Sequence, residues 1–217
     1  MADITIYLGN KNYSSWSLRP WLALKQTGAG FDEEVIPLDE AATRSTVLRF
    51  SPSGRVPALK HDELTVWDSL AICEYLAETF PAAKLWPDDK AARAVARAVS
   101  AEMHSAFAAL RNHLPMNMRS SFPNRGVTPE VQADINRITA IWRDCRKRFG
   151  AGGDFLFGGF TNADAMYAPV VSRFRTYRVE LEEEAQAYAD AVWALPALQE
   201  WLTAAKNEPM IIESAEF

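Results

Sequence analysis

Three short segments concentrate hydroxyls, amides and charge where one predicted element gives way to another. Asn12-Tyr-Ser-Ser-Trp-Ser-Leu-Arg-Pro20 follows a predicted strand and opens a predicted helix. A helix N-terminus offers unpaired amides and a partial positive charge, so it favours an anion. Ser14 and Ser15 can donate their hydroxyls to that anion, or one of them is simply the N-cap. The second segment is Ser51-Pro-Ser-Gly-Arg-Val-Pro-Ala-Leu59. Proline cannot donate to a strand ladder, so Val56-Pro57 at a strand start is unusual. A cis peptide bond is one solution, and an edge strand is the other. The cis form turns the Val56 N–H and C=O toward solvent, where an extended peptide can pair with them. In the third segment, Trp67-Asp-Ser-Leu-Ala-Ile-Cys73, Asp68 and Ser69 sit between a strand and a helix. Their side chains and amides can hold an ammonium and a carboxylate together, or they form a helix cap.

The elements that must position these segments are readable from periodicity. Ile4–Leu8, Glu34–Pro37, Ala58–His61 and Leu64–Trp67 are predicted strands, the last two joined by a tight turn at Asp62-Glu63. Leu18–Lys25 is a predicted helix that tolerates Pro20 only in its first turn and stops at Gly28. The stretch 40–50 is weakly helical, and Ser69 is expected to cap a helix through Glu78. That order implies an α/β layer with a mixed four-stranded sheet. Phe80–Pro87, with two prolines, reads as a linker. Beyond it the chain is rich in alanine and expected to be all-helical. Val95, Val99, Met103, Phe107, Leu110 and Leu114 recur at helical spacing, as do Val131, Ile135, Ile138, Trp142, Cys145 and Phe149. Both stripes read as core-facing sides of long helices. A further helix is expected near Asn162, with Thr161 and Asp164 spaced as a capping box, and the last from Pro196 to Ala205.

Composition narrows the function. The 217 residues are 48% hydrophobic and 24% charged, ordinary values for a folded soluble chain. The net charge of −5 argues against nucleic acid or an anionic membrane as the main partner, and Arg143, Arg146, Lys147 and Arg148 read as a solvated helix face. No apolar run is long enough to span a bilayer, and no secretory signal is visible. Two cysteines make neither a disulfide framework nor a metal quartet, so a reducing cytoplasm and no metal are expected. Cys73, on a core face, is expected to be inert. With three histidines, no Ser/His/Asp arrangement emerges. Arg97, His104 and Arg111 recur every seven residues, about two helical turns. They suggest a polar stripe suited to an anionic or carbonyl-bearing substrate, with Arg111 as a bidentate clamp, or else a solvated face. Met116 and Met118 suggest an adaptable wall.

Taken together, Ser-Pro-Ser-Gly-Arg-Val-Pro-Ala-Leu, Asp-Ser-Leu-Ala-Ile with its following Tyr-Leu, the Thr161-x-x-Asp164 box and Pro169 make the chain resemble the cytosolic glutathione transferases over essentially its whole length. The resemblance implies a thioredoxin-like N-terminal domain, residues 1–80, and an all-α domain, 89–217. It implies that glutathione is the co-substrate, that a small electrophile binds against the helical domain, and that the protein is a homodimer. By motif match, the Val56 backbone pairs with the cysteinyl part of glutathione, Asp68 and Ser69 hold its γ-glutamyl end, and Ser14 or Ser15 donates to sulfur. Arg44 and Arg55 are the candidates by charge for the glycine carboxylate. His104 and Arg111 would meet the electrophile. Ser-type members of the zeta class place Ser-Ser-Cys here with an arginine a few residues on. This chain keeps Ser14, Ser15, Ser17 and Arg19 but has Trp16 in the cysteine's place, which weighs against maleylacetoacetate isomerisation.

The implied mechanism is thiolate stabilisation. A free thiol titrates near ~8.5. Lowering that by ~2 units takes ~2.7 kcal/mol, within reach of one charge-assisted hydrogen bond and a helix end. Serine acts as donor, so no histidine base is needed. Two other readings are a glutathione-returning isomerase or dehalogenase, and a non-catalytic binding protein of the same fold.

Overall fold

The computed structural model describes residues 3–216. Four strands, β1 (Ile4–Gly9), β2 (Asp32–Ile36), β3 (Ala58–His61) and β4 (Leu64–Trp67), form one sheet in the order β2-β1-β3-β4. β1 runs parallel to β2 and antiparallel to β3, and β3 pairs antiparallel with β4, so the sheet is mixed as expected. Strand side chains alternate between faces, so Ile4, Ile6 and Leu8 of β1 all point into the core. On the other face Tyr7 stacks flat on Phe50, 4.2 Å between centroids. Helices α1 (Ser15–Thr27) and α3 (Ser69–Thr79) pack side by side, and the five-residue α2 (Thr43–Val47) lies between β2 and β3 in the chain.

α1 begins three residues earlier than the sequence suggests, because Ser14 caps it. Pro20 therefore lies in the helix interior and not in the first turn, where it removes the N–H that would reach the Trp16 carbonyl. α3 is capped by Asp68, whose carboxylate accepts from the amides of Leu70 (2.9 Å) and Ala71 (3.3 Å); Ser69, expected as the cap, is the first helical residue. A single 3₁₀ turn, Pro81–Ala83, interrupts the linker.

The remaining helices are α4 (Lys90–Ser105), α5 (Ala108–His113), α6 (Pro129–Phe149), α7 (Asn162–Tyr177), α8 (Glu183–Trp193) and α9 (Pro196–Asn207). The apolar stripe from Val95 to Leu114 is not one helix. Phe107 adopts a left-handed conformation (φ 61°) and splits it into α4 and α5, with no glycine or proline to announce the break. α8 is not among the helices expected from the sequence, although Ala185, Tyr188, Ala189 and Val192 are its buried face at helical spacing. Met116 and Met118 are core residues rather than a cleft wall. α7 is the central helix, packed on α1, α4 and α8. It is buried along nearly its whole length, and Trp142 of α6 sits edge-on to Tyr167 of α7 (5.9 Å) and Tyr188 of α8 (4.8 Å).

The Thr161–Asp164 capping box is present. The Asp164 carboxylate accepts from the Thr161 N–H (2.8 Å), the Thr161 hydroxyl (3.0 Å) and the Leu156 N–H (3.1 Å). Burial nonetheless pushes its pKa up to about 6. Between about 6 and the ordinary aspartate value near ~3.9, the folded protein holds a proton that the unfolded chain has released. The contribution of this group to stability therefore grows as pH falls through that window. Urea unfolding of the parent and of Asp164→Asn is expected to show the parent's advantage widening from pH 7 to pH 4. Asp164→Ala, which strands three donors, is expected to cost about 2–3 kcal/mol at pH 7.

Candidate functional site

The site is built on two helix starts and one strand start. Ser14, φ −83° and ψ 85°, is the N-cap of α1. Its Oγ accepts from the Ser17 N–H at 3.4 Å and donates to Ser17 Oγ at 2.8 Å, and Ser17 Oγ accepts the Gly9 N–H at 3.0 Å. Hydroxyl protons rotate to suit their partners. If Ser17 donates to Ser14 instead, the Ser14 proton is released for an anion beside the helix end. Val56 lies just before β3, whose register starts with Ala58 opposite Trp67, and the Val56–Pro57 peptide bond is cis. Asp68 holds φ 75° and ψ 133°, a conformation that non-glycine residues seldom adopt and that costs on the order of 1–3 kcal/mol. The same turn buries the Ser69 hydroxyl, which has no hydrogen-bond partner among the described residues.

Arg55, Val56, Asp68, Ser69 and His104 line one cleft of about 420 Å³, together with Ser53, Pro57, Trp16 and Trp67. Ser14, Ser15, Arg44 and Arg111 are not on its lining. Ser14 and Ser15 are buried directly ahead of Trp16, which is 37% exposed and lines the cleft. Ser15 faces the helical layer, where its Oγ accepts from Arg173 Nη2 at 3.3 Å. Arg44 is exposed on α2 and close to Gly54. Arg97 leaves the site for Glu74 on α3, a two-nitrogen contact at 2.9 and 3.0 Å. Arg111 lies on α5, beyond the break. Its guanidinium donates back to the Ala106 (3.0 Å), His104 (3.2 Å) and Met103 carbonyls, closing the C-terminus of α4.

Electrostatics single out residues that the spacing argument undervalued. Arg19 is fully buried, and none of its guanidinium nitrogens has a hydrogen-bond partner among the described residues. Its Cζ stands 4.4 Å from the centroid of the Trp16 ring, and that of Arg111 4.8 Å from the same centroid. Burial, then the charges of Arg111 and Arg173, brings the Arg19 pKa down to about 9. Arg173 is lowered to about 10 for the same leading reason. His104 presents its edge to Trp16 at 5.3 Å and meets Asp68 through Nε2 at 3.2 Å. Burial lowers its pKa, and Arg19 and Arg111 add to that against the pull of Asp68. The floor under Trp16 is therefore strongly electropositive and favours an anion. Cys73 and Cys145 are free and buried, and burial holds both thiols up to about 12, so neither is a nucleophile.

A buried guanidinium without partners costs stability that a neutral side chain of similar length does not. Arg19→Met is expected to stabilise the ligand-free protein by about 1–3 kcal/mol in urea unfolding. A loss of stability instead would show that its stacking on Trp16 outweighs the cost of burying it.

Comparison with known proteins identifies the family. The family model for the glutathione S-transferase N-terminal domain matches residues 13–79, and that for the C-terminal domain matches residues 92–204. Mouse maleylacetoacetate isomerase is 37% identical over 182 residues, covering 81% of this chain and 80% of its own. A glutathione transferase homologue from Burkholderia, solved with bound glutathione, superposes with a TM-score of 0.73 at 24% identity, over 95% of this chain and 100% of its own. A bacterial maleyl pyruvate isomerase, described as a zeta-class glutathione S-transferase, gives a TM-score of 0.73 at 21% identity, over 94% and 99%. Matched by both domain models, with a relative above 30% identity over most of its length, the chain belongs to the glutathione S-transferase family.

Proposed function

We propose that this protein is a glutathione transferase in which Ser14 stabilises the thiolate of glutathione for attack on a small electrophile. The observation that carries this reading is the convergence of the α1 N-terminus, the cis Val56–Pro57 bond and the Asp68–Ser69 turn around one cleft. Glutathione would run as an extended peptide past Val56, its backbone pairing with the Val56 N–H and C=O. Its γ-glutamyl ammonium would meet the Asp68 carboxylate and its γ-glutamyl carboxylate the unpartnered Ser69 hydroxyl. Arg55, exposed on the lining, is better placed than Arg44 for the glycine carboxylate. The sulfur would then face the positive end of α1 and the Ser14 hydroxyl, and both favour the charged form.

The electrophile would meet Trp16 and His104, with Arg19, Arg111 and Arg173 beneath. Because Arg111 already spends its donors on main-chain carbonyls, its contribution is charge and stacking rather than a bidentate clamp. This charge distribution supports an anionic electrophile. It also keeps a second reading open, an isomerase that returns glutathione, which the maleylacetoacetate isomerase relatives favour. A homodimer in a reducing cytoplasm completes the reading, and the two free, buried thiols are compatible with that setting.

The test is a spectral titration of bound glutathione. The thiol pKa is expected ~2 units below its free value of ~8.5 in the parent and near that value in Ser14→Ala; equal pKa values would remove Ser14 from the mechanism. The two readings separate by stoichiometry. A transferase depletes glutathione one for one with product, whereas an isomerase leaves its concentration unchanged over many turnovers of an unsaturated dicarboxylate.

A further inference from the structure

The turn ahead of Ser14 is held from the far end of the chain. Its two central residues, Lys11 and Asn12, have all four main-chain polar groups engaged by the helical layer. Glu208, just past α9, receives the Lys11 N–H (2.6 Å) on one carboxylate oxygen and the Asn12 N–H (2.9 Å) on the other. The Lys11 carbonyl accepts the Trp201 indole N–H at 2.8 Å, and the Asn12 carbonyl accepts the Met118 N–H at 3.3 Å. The Asn12 side chain is fixed as well, by the Arg119 N–H (2.8 Å) and by Asn117 Oδ1 (3.1 Å). One residue further on, the Tyr13 hydroxyl donates to Glu216 at 2.6 Å and accepts from Arg119 at 2.7 Å. Arg119 also donates to the Glu208 carbonyl at 2.9 Å, which links the two ends of the tail. The Ser14 amide donates to the Asn10 carbonyl at 2.8 Å, so Ser14 takes its position from this turn.

We propose that Glu208 is a positioning residue for the thiolate chemistry, acting on Ser14 through the Lys11 and Asn12 amides. A carboxylate that accepts two neighbouring amides fixes the direction of both peptide planes, and charge-assisted hydrogen bonds of this kind are about twice as strong as neutral ones. Two residues on, those planes decide where the Ser14 hydroxyl and the first amides of α1 point. An oxyanion-type donor loses its effect when it is out of line with the charge that it serves. Removing Glu208 therefore frees the turn without altering any group that touches glutathione. This inference rests on the reading of Ser14 given above, and the two can fail separately.

The experiment uses the full-length protein with glutathione bound and compares the parent, Ser14→Ala, Glu208→Ala and Glu208→Gln. Glu208→Ala is expected to raise the thiol pKa of bound glutathione by about one unit. The rate at pH 7 would then fall about threefold, with the loss disappearing above the new pKa and glutathione affinity nearly unchanged. Glu208→Gln, which can still accept one of the two amides, is expected to fall between parent and Ala. If Glu208→Ala does not fold, the Gln variant alone decides. A lowered unfolding midpoint with an unmoved thiol pKa would reduce Glu208 to a structural strut and overturn the proposal. If Ser14→Ala moves the thiol pKa and neither Glu208 variant does, only this inference fails. If Ser14→Ala also leaves it unmoved, the reading of Ser14 fails and this inference falls with it.

Discussion

The amides of a helix's first turn are normally satisfied by water, but α1 starts inside the protein, with Ser14 and Ser15 both buried. Those groups have to be held in place from outside the helix. The Ser14–Ser17–Gly9 hydroxyl chain holds them from the sheet, Arg173 of α7 from the side, and the tail from behind. Each support comes from a different part of the fold. The mixed sheet puts Gly9 under the turn, α7 lies against α1, and α9 delivers Glu208. The helical layer thus helps to hold the turn that starts α1.

A second consequence of the same burial is electrostatic. The charges of Arg111 and Arg173 lower the proton affinity of Arg19, that of Arg111 lowers Arg173's, and none of the three forms an ion pair among the described residues. Arg111 and Arg173 are satisfied by carbonyls, whereas Arg19 has the Trp16 ring in place of hydrogen bonds. A ring face offers part of what a carboxylate would, without cancelling the charge. The positive potential is therefore preserved next to the cleft and kept out of water, where it has its longest reach.

What the sequence discloses here follows the range over which each feature is determined. The Ser14 turn, the Val56-Pro57 pair and the Asp68–Ser69 junction are local statements about caps and proline, and all three are legible in a few residues. So are the four strands and the capping box. The break at Phe107 is not, because a left-handed residue without glycine is imposed by packing. Nor is the fate of Arg111: seven-residue spacing places it beneath His104 on a continuous helix, and the break turns it toward the end of α4 instead. The missing partner of Arg19 and the hold of Glu208 on Lys11 are products of tertiary structure, and no window of sequence contains both ends of either.

The separation between Glu208 and the turn it clamps spans 197 positions. A chain being synthesised from its N-terminus completes the sheet and its two large helices well before residue 208 leaves the ribosome. Until then the Lys11 and Asn12 amides have only solvent for company, and the serine turn has its shape without its fastening. That fastening thus forms only after α9 has been made.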